Sequence, residues 1–285
     1  MDQTPSAPCI HVHVHVHASG AGGIFANAYL VETTHGVVAV DGTLTVSESR
    51  ALRARLDAIG KPLLAVLVTH AHPDHVAGIG NLIGSTDVPI LATQSVAELA
   101  RAFEGPKRAQ WKPVFGEEWI DDWTFPNRIV SDREAVQFDG VAFRVFDIGA
   151  GGDCDANAIW VMETDPSAAF VGDLLFNGTH VYLADGKILS WLANVERFRP
   201  LLSGMATLYA GHGTPDGPEL LSAHRDYVLA YCAAVRDLLD GGTALSDAAK
   251  EELERRMEMV RPNAPLGFMV GLSADAVARE LVQAE

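Results

Sequence analysis

The chain has 285 residues and a formal net charge of -16 at neutral pH. That acidity argues against nucleic acid or an anionic membrane as the main partner and leaves a small-molecule substrate as the expectation. A hydrophobic content of 48% with 20% charged residues describes a globular chain with a large core. No stretch reaches the roughly 18 uninterrupted apolar residues of a membrane span. The cysteines, Cys9, Cys154 and Cys232, are too few for a disulfide framework and fit a reducing compartment. Met1-Asp2-Gln3 does not open a basic and then apolar leader, so a cytoplasmic location is expected.

Residues 1–9 carry no pattern. His11-Val-His-Val-His-Val-His17 alternates strictly, which predicts a strand with Val on one face and His on the other. A flat row of imidazoles supplies ligands without closing a coordination sphere, which favours a solvent-facing edge over a metal site. Gly20 to Gly23 predicts a turn, and 27–32 with 36–41 a hairpin. Ser47 to Ile59 predicts an amphipathic helix with Leu52, Leu56 and Ile59 on one stripe. The β-branched, apolar run from Pro62 to Thr69 predicts a buried strand. It leads into His70-Ala71-His72-Pro73-Asp74-His75 and then a helix predicted over Val76 to Gly84. Two residues apart on an extended turn, His70 and His72 point to the same side. Asp74 stands at the start of the helix, where a carboxylate suits unpaired amides. Asp74 and His75 face a second position, a geometry that suits two adjacent metals. A capped turn that happens to be rich in histidine is the plain alternative. The order strand, ligand cluster, helix favours the metal.

Residues 88–92 predict a strand and 95–103 a helix, so the βαβαβ order predicts an α/β chain with helices packed on sheets. Residues 104–127 gather Trp111, Trp119 and Trp123 with Phe115, Phe125 and several prolines. They form either a loop packing its aromatics on the body or a lid giving an apolar wall for an acyl-bearing substrate. Strands are predicted at 134–138, 141–146, 158–162, 168–176 and 207–213, and a helix at 188–202. His180, in the turn after the fourth of these strands, either lines the pocket or is an ordinary satisfied histidine. Helices are predicted over 222–239, 246–260 and 273–284.

The His-x-His-x-Asp-His run after a buried strand resembles the metallo-β-lactamase superfamily. Asp41, the turn Gly152 to Asn157, Gly172-Asp173 and Gly211-His212 extend the likeness, in order, over residues 24–216. The resemblance implies a four-layer αββα sandwich over residues 1–220, with 221–285 as a C-terminal helical extension on the same domain. That extension packs on the body, caps the pocket or makes a homodimer contact. The resemblance also implies two divalent cations, zinc first. One would lie on His70, His72 and the 152–157 turn, the other on Asp74, His75 and His212. Asp173 would bridge them, and Asp41 would support the ligands from below.

One place departs from the family pattern. Where the family has a histidine in the 152–157 turn, this chain has Asp153. Asp153 either ligates in its stead or stands off; Asp155 is two residues out of register. As a ligand it adds a carboxylate and makes its cation a poorer Lewis acid. It also lifts the pKa of bound water above the roughly 7 of zinc-activated water. Iron or manganese then competes better at that position. The implied chemistry is hydrolysis of an ester, lactone, thioester or amide by a hydroxide held between the metals. Asp74 would orient that hydroxide or carry its proton. Two alternatives come from other classes: iron-dependent oxygen or persulfide chemistry on the same fold, and a metal-poor binding protein with its site degraded at Asp153. Flavodiiron relatives carry Glu where this chain has His72, which counts against that branch.

Overall fold

The computed structural model describes residues 12–284. Residues 1–9 and His11 of the predicted histidine strand lie outside them. Taken along the chain, the elements are β1 (His13–Ala18), β2 (Asn27–Glu32), β3 (Val37–Val40), α1 (Val46–Ile59), β4 (Leu63–Leu67), α2 (Pro73–Val76), α3 (Ile79–Ile83), β5 (Ile90–Ala92) and α4 (Gln94–Phe115). There follow β6 (Arg128–Ile129), β7 (Ala135–Phe138), β8 (Val141–Gly149), β9 (Asn157–Met162), β10 (Ala168–Asn177), α5 (Ile188–Leu202), β11 (Thr207–Gly213), α6 (Leu220–Leu238), α7 (Asp247–Val260) and α8 (Phe268–Gln283).

The strands form two sheets. One runs β1-β2-β3-β4-β5-β6, the other β11-β10-β9-β8-β7. In the first, the β1-β2-β3 meander is antiparallel, and β4 to β6 add on in parallel through helical crossovers. Strands β3 and β4 are apolar along their length because both of their faces are covered. Phe143, Val145 and Trp160 of the second sheet pack with Val38, Val40 and Val66 of the first to fill the space between. The other face of the second sheet, with Ile159, Val161 and Val171, packs on α5, α6 and α8 through Trp191, Tyr227 and Val277. The result is an αββα sandwich with α6 to α8 added to its second half. Among the described residues no helix is long and apolar enough to cross a membrane.

Helix α8 begins at Phe268 rather than at 273, and β6 has no counterpart among the expected strands; three further elements also differ from their sequence-based expectation. The helix expected over 76–84 is two short helices, α2 and α3, separated at Ala77 and Gly78. A Cβ on Gly78 would press on the backbone of Thr43, so the chain turns there against the end of β3. Helix α4, expected to stop at Phe103, runs on to Phe115 through Pro106 and Pro113. Both prolines are exposed, while Phe103, Lys107, Trp111 and Phe115, spaced four apart, form a continuous inward row. Packing along that row keeps the helix going past residues that would end an isolated one. In β1, His15 bonds Glu32 at 2.8 Å, and His17 is buried against Glu48 at 3.1 Å, so only part of the histidine face meets solvent.

His224 of α6 lies in the second core, its Nδ1 accepting the amide of Phe176 at 3.1 Å. Burial pushes its pKa down to about 3. Between that value and the ordinary 6.5 the unfolded chain takes up a proton that the folded chain refuses, so stability falls as pH drops through this window. Replacing His224 with Gln should flatten the acid limb of the denaturation midpoint plotted against pH. The wild-type slope should be steeper by up to about 1.4 kcal/mol per pH unit.

Candidate metal centre

The site forms where both sheets end. Strand β4 delivers Thr69 and His70 at its tip, and α2 turns the chain so that Asp74 and His75 follow at once. The turn before β9 brings Asp153, β10 brings Asp173, and β11 brings His212. Two glycines make room. Gly172 sits at φ +49°, where a Cβ would meet the Thr69 side chain, and a Cβ on Gly211 would run into Asp173 Oδ1.

Asp173 occupies the middle. Its Oδ1 is 3.4 Å from His75 Nε2, and its Oδ2 is 3.3 Å from His212 Nε2 and 3.8 Å from His70 Nε2. Asp74 Oδ2 lies 3.2 Å from His212 Nε2 and 3.4 Å from His75 Nε2. On the other side, Asp153 Oδ1 is 3.6 Å from His70 Nε2, and its Oδ2 contacts His72 Nδ1. Among the described residues three donor groups result: His70, His72, Asp153 and Asp173; Asp74, His75 and His212; and Asp41 with His70 and His75, whose carboxylate already accepts from Thr69 and from His75 Nδ1. Asp155 instead pairs with Lys187 at 2.9 Å, away from the cluster.

Each histidine is held by the nitrogen that faces away from the cluster. Asp41, at φ +60°, accepts the amide of Thr69 at 2.8 Å through Oδ1. Its Oδ2 accepts the Thr69 hydroxyl at 2.6 Å and His75 Nδ1 at 2.9 Å. With its own proton given to Asp41, Thr69 Oγ1 accepts from His70 Nδ1 at 3.0 Å. His212 Nδ1 donates to the Ile24 carbonyl at 3.1 Å. His72 is held the other way round, by Nε2, which lies 3.1 Å from Asp185 Oδ2.

Electrostatics are divided across the cluster. Burial pushes His70 well below the ordinary imidazole range, with the nearby His75 adding to it. Burial also opposes charge on His212, yet Asp173 and Asp74 lift it to about 10. His72 is likewise lifted to about 9, against burial, by Asp153 and Asp185. Burial raises the Asp173 carboxyl to about 6, while the histidines beside Asp153 hold it at about 2.

The donor set fits a metal. His70 Nε2, His75 Nε2, Asp153 Oδ1 and Asp173 Oδ1 are buried, point into the cluster and have no hydrogen-bond partner. Buried donors and acceptors left unpaired are costly, and a cation between these atoms would satisfy them together. Asp153 faces the cluster rather than turning from it.

Beside the cluster opens a cavity of about 250 Å³. Its floor is His72, Asp74, Asp153, Asp173 and His212, and its walls are largely apolar, from Ile24, Leu44, Trp111, Phe115, Phe268 and Met269. Trp111 therefore lines the cavity, but on a helix rather than a lid loop. Trp119 and Trp123 do not: they are buried in the first core, and Trp123 Nε1 donates to the Ile120 carbonyl at 3.0 Å. His180 is also away from the cavity, buried with Nδ1 2.8 Å from the Tyr227 hydroxyl. The tail's own helix packing claims it. Lys107, Tyr182 and Asp185 were not singled out in the sequence. Lys107 and Tyr182 line the cavity, and the four-residue spacing of Phe103, Lys107 and Trp111 was the one available signal.

The sequence profile of the metallo-β-lactamase superfamily matches residues 21–212. The chain belongs to the metallo-β-lactamase superfamily. Solved members of this fold superpose on it. A β-lactamase domain protein from Burkholderia ambifaria has a TM-score of 0.70 at 18% identity, covering 98% of this chain and 88% of that one. A metallo-β-lactamase family protein from Thermus thermophilus has a TM-score of 0.68 at 20% identity, covering 98% and 94%. The B3 metallo-β-lactamase BLEG-1 has a TM-score of 0.61 at 19% identity; it covers 76% of this chain and 99% of its own. At such identities the likeness is one of fold. An uncharacterised protein of Bacillus subtilis, YobT, is 41% identical over 56 residues, which span 20% of this chain and 24% of that protein.

Two outcomes follow from the geometry of this superfamily site. Metal uptake should release protons from the histidines whose pKa values are raised, so affinity should weaken as pH falls from 8 to 6. Calorimetry in buffers of differing ionisation enthalpy measures that release. Replacing Asp41 with Ala should cost roughly 3–5 kcal/mol in chemical denaturation, because it leaves Thr69 and His75 buried without their acceptor.

Proposed function

We propose that this chain is a metal-dependent hydrolase cleaving an ester, lactone, thioester or amide in a small substrate with an apolar acyl part. The observation that carries the reading is the set of inward-facing, unpartnered donor atoms on His70, His75, Asp153 and Asp173 at the floor of an apolar cavity. In this reading His70, His72 and Asp153 hold one divalent cation, Asp74, His75 and His212 another, and Asp173 lies between. Bound there, divalent cations polarise a carbonyl oxygen and acidify water, zinc being the first candidate and iron or manganese competing beside Asp153.

The chain's own groups supply the rest. Asp74 faces the cavity between His75 and His212 and is placed to orient an attacking water and take its proton. Trp111, Phe115 and Met269 exclude bulk water and give an acyl chain its contact surface. Lys107 and Tyr182 both engage Asp185, so neither offers the cavity a free charge for an anionic substrate.

The Asp153 carboxylate favours one rival, iron-dependent oxygen or persulfide chemistry, because a carboxylate for imidazole suits harder cations. Metal content per chain in untagged protein, measured beside turnover of a lactone and thioester panel, decides between them. The hydrolase reading expects cation-dependent acyl turnover, lost on chelation and restored by the same cation. Asp74→Asn should lower kcat roughly 10²- to 10⁴-fold. Iron-loaded protein with no acyl turnover would overturn the hydrolase.

A further inference from the structure

One ion pair, with its lysine buried and its carboxylate partly open to solvent, touches the cluster from outside. Asp185 Oδ2 lies 3.1 Å from His72 Nε2 and 3.1 Å from Lys107 Nζ, and Asp185 Oδ1 accepts the Tyr182 hydroxyl at 2.7 Å. Lys107 is only 6% exposed, and its ammonium sits 4.9 Å over the Phe103 ring. The charge of Lys107 is therefore committed to Asp185. His72 is confined as well: Phe103 stacks on its ring at 5.6 Å, and Tyr182 meets it edge-on at 5.7 Å.

This arrangement explains why His72 differs from its neighbours. His70, His75 and His212 are held at Nδ1 and turn Nε2 inward, whereas His72 turns Nδ1 inward. A carboxylate accepting an imidazole N–H fixes both the tautomer and the ring orientation and makes the other nitrogen a better donor to a metal. We propose that Asp185 is a positioning residue for His72: it holds Nε2 protonated so that Nδ1 ligates, and Lys107 and Tyr182 hold Asp185 in place.

The position of Asp185 is in turn set by the tail. The loop between β10 and α5 is pinned where the His180 amide donates to the Pro265 carbonyl at 2.9 Å and the Leu183 amide to Ser273 Oγ at 2.9 Å. Just beyond Asp185, the amides of Ile188 and Leu189 donate to the Glu280 carboxylate at 2.8 and 2.9 Å. Helix α8 thereby anchors both sides of the residue that holds His72.

The inference rests on the metal-dependent reading above, and its test separates the two. Zinc content after dialysis and zinc affinity against a chromophoric chelator are measured for the wild type, Asp185→Ala, Asp185→Asn and Lys107→Met. Asp185→Ala should bind one of its cations roughly 10- to 100-fold more weakly. Asp185→Asn keeps an acceptor oxygen and should recover most of that loss, and Lys107→Met should fall in between. In the zinc-loaded wild type, long-range nitrogen–proton spectra should show the His72 ring protonated at Nε2 and the other ligand rings at Nδ1. Wild type that takes up zinc while Asp185→Ala holds it with unchanged affinity overturns this assignment alone, as does a His72 ring protonated at Nδ1. Wild type that takes up no divalent cation overturns both.

Discussion

The carboxylate of Asp41 is the constraint on which the rest of the site depends. It closes β3 in a left-handed conformation, takes both the amide and the hydroxyl of Thr69 at the tip of β4, and receives Nδ1 of His75 from α2. One buried acceptor thus joins two parallel strands to the helix that follows them. Through Thr69 it also reaches His70. Local chain geometry would leave those imidazoles free to rotate; the shared acceptor removes that freedom before any cation arrives. The cost of a buried anion is offset by three donors that point at it, all from one short stretch of chain.

Around that acceptor the two sheets contribute unequally. The first sheet supplies the histidine-rich turn, and the second supplies Asp153 from the turn before β9, Asp173 from the irregular middle of β10 and His212 from the end of β11. Asp173 is central because β10 and β11 run parallel and end together, with Gly172 and Gly211 allowing the backbones to close in. The apolar wall of the cavity comes from Ile24 and Leu44 in loops of the first half, from α4 and from the start of α8. Val114 is 68% exposed and Phe268 53% exposed at its mouth, so the greasy lining continues to the surface.

Much of this was legible in the sequence, for physical reasons that can be named. His70, His72, Asp74 and His75 crowd into one turn after an apolar run, and Asp173 and His212 each follow a glycine in a largely apolar strand. Such patterns survive without any partner in view, and the structure brings these side chains together with Asp153. Other features depend on residues far away in the chain. The extension of α4 past Phe103 was hidden by Pro106 and Pro113, because their exposed position only emerges once the row from Phe103 to Phe115 has something to pack on. Trp119 and Trp123 read the same as Trp111 in sequence, yet the first two turn into the core. Asp185 carries no local signal, and Lys107 only its place in the four-residue row from Phe103; both sit among other charges in sequence, and they meet because the loop after β10 and helix α4 converge at the same end of the sandwich.

The grip of α8 on the 178–187 loop has a consequence for transplanting parts of this protein. Ser273 and Glu280 sit some ninety positions downstream of the amides they hold, so loop and tail form one unit of inheritance although they are distant in the chain. A chimaera that borrowed the loop for a shorter scaffold would receive the right letters on a slack tether. Recombination within this branch should therefore cut before Gly178 or after the final helix, and seldom between.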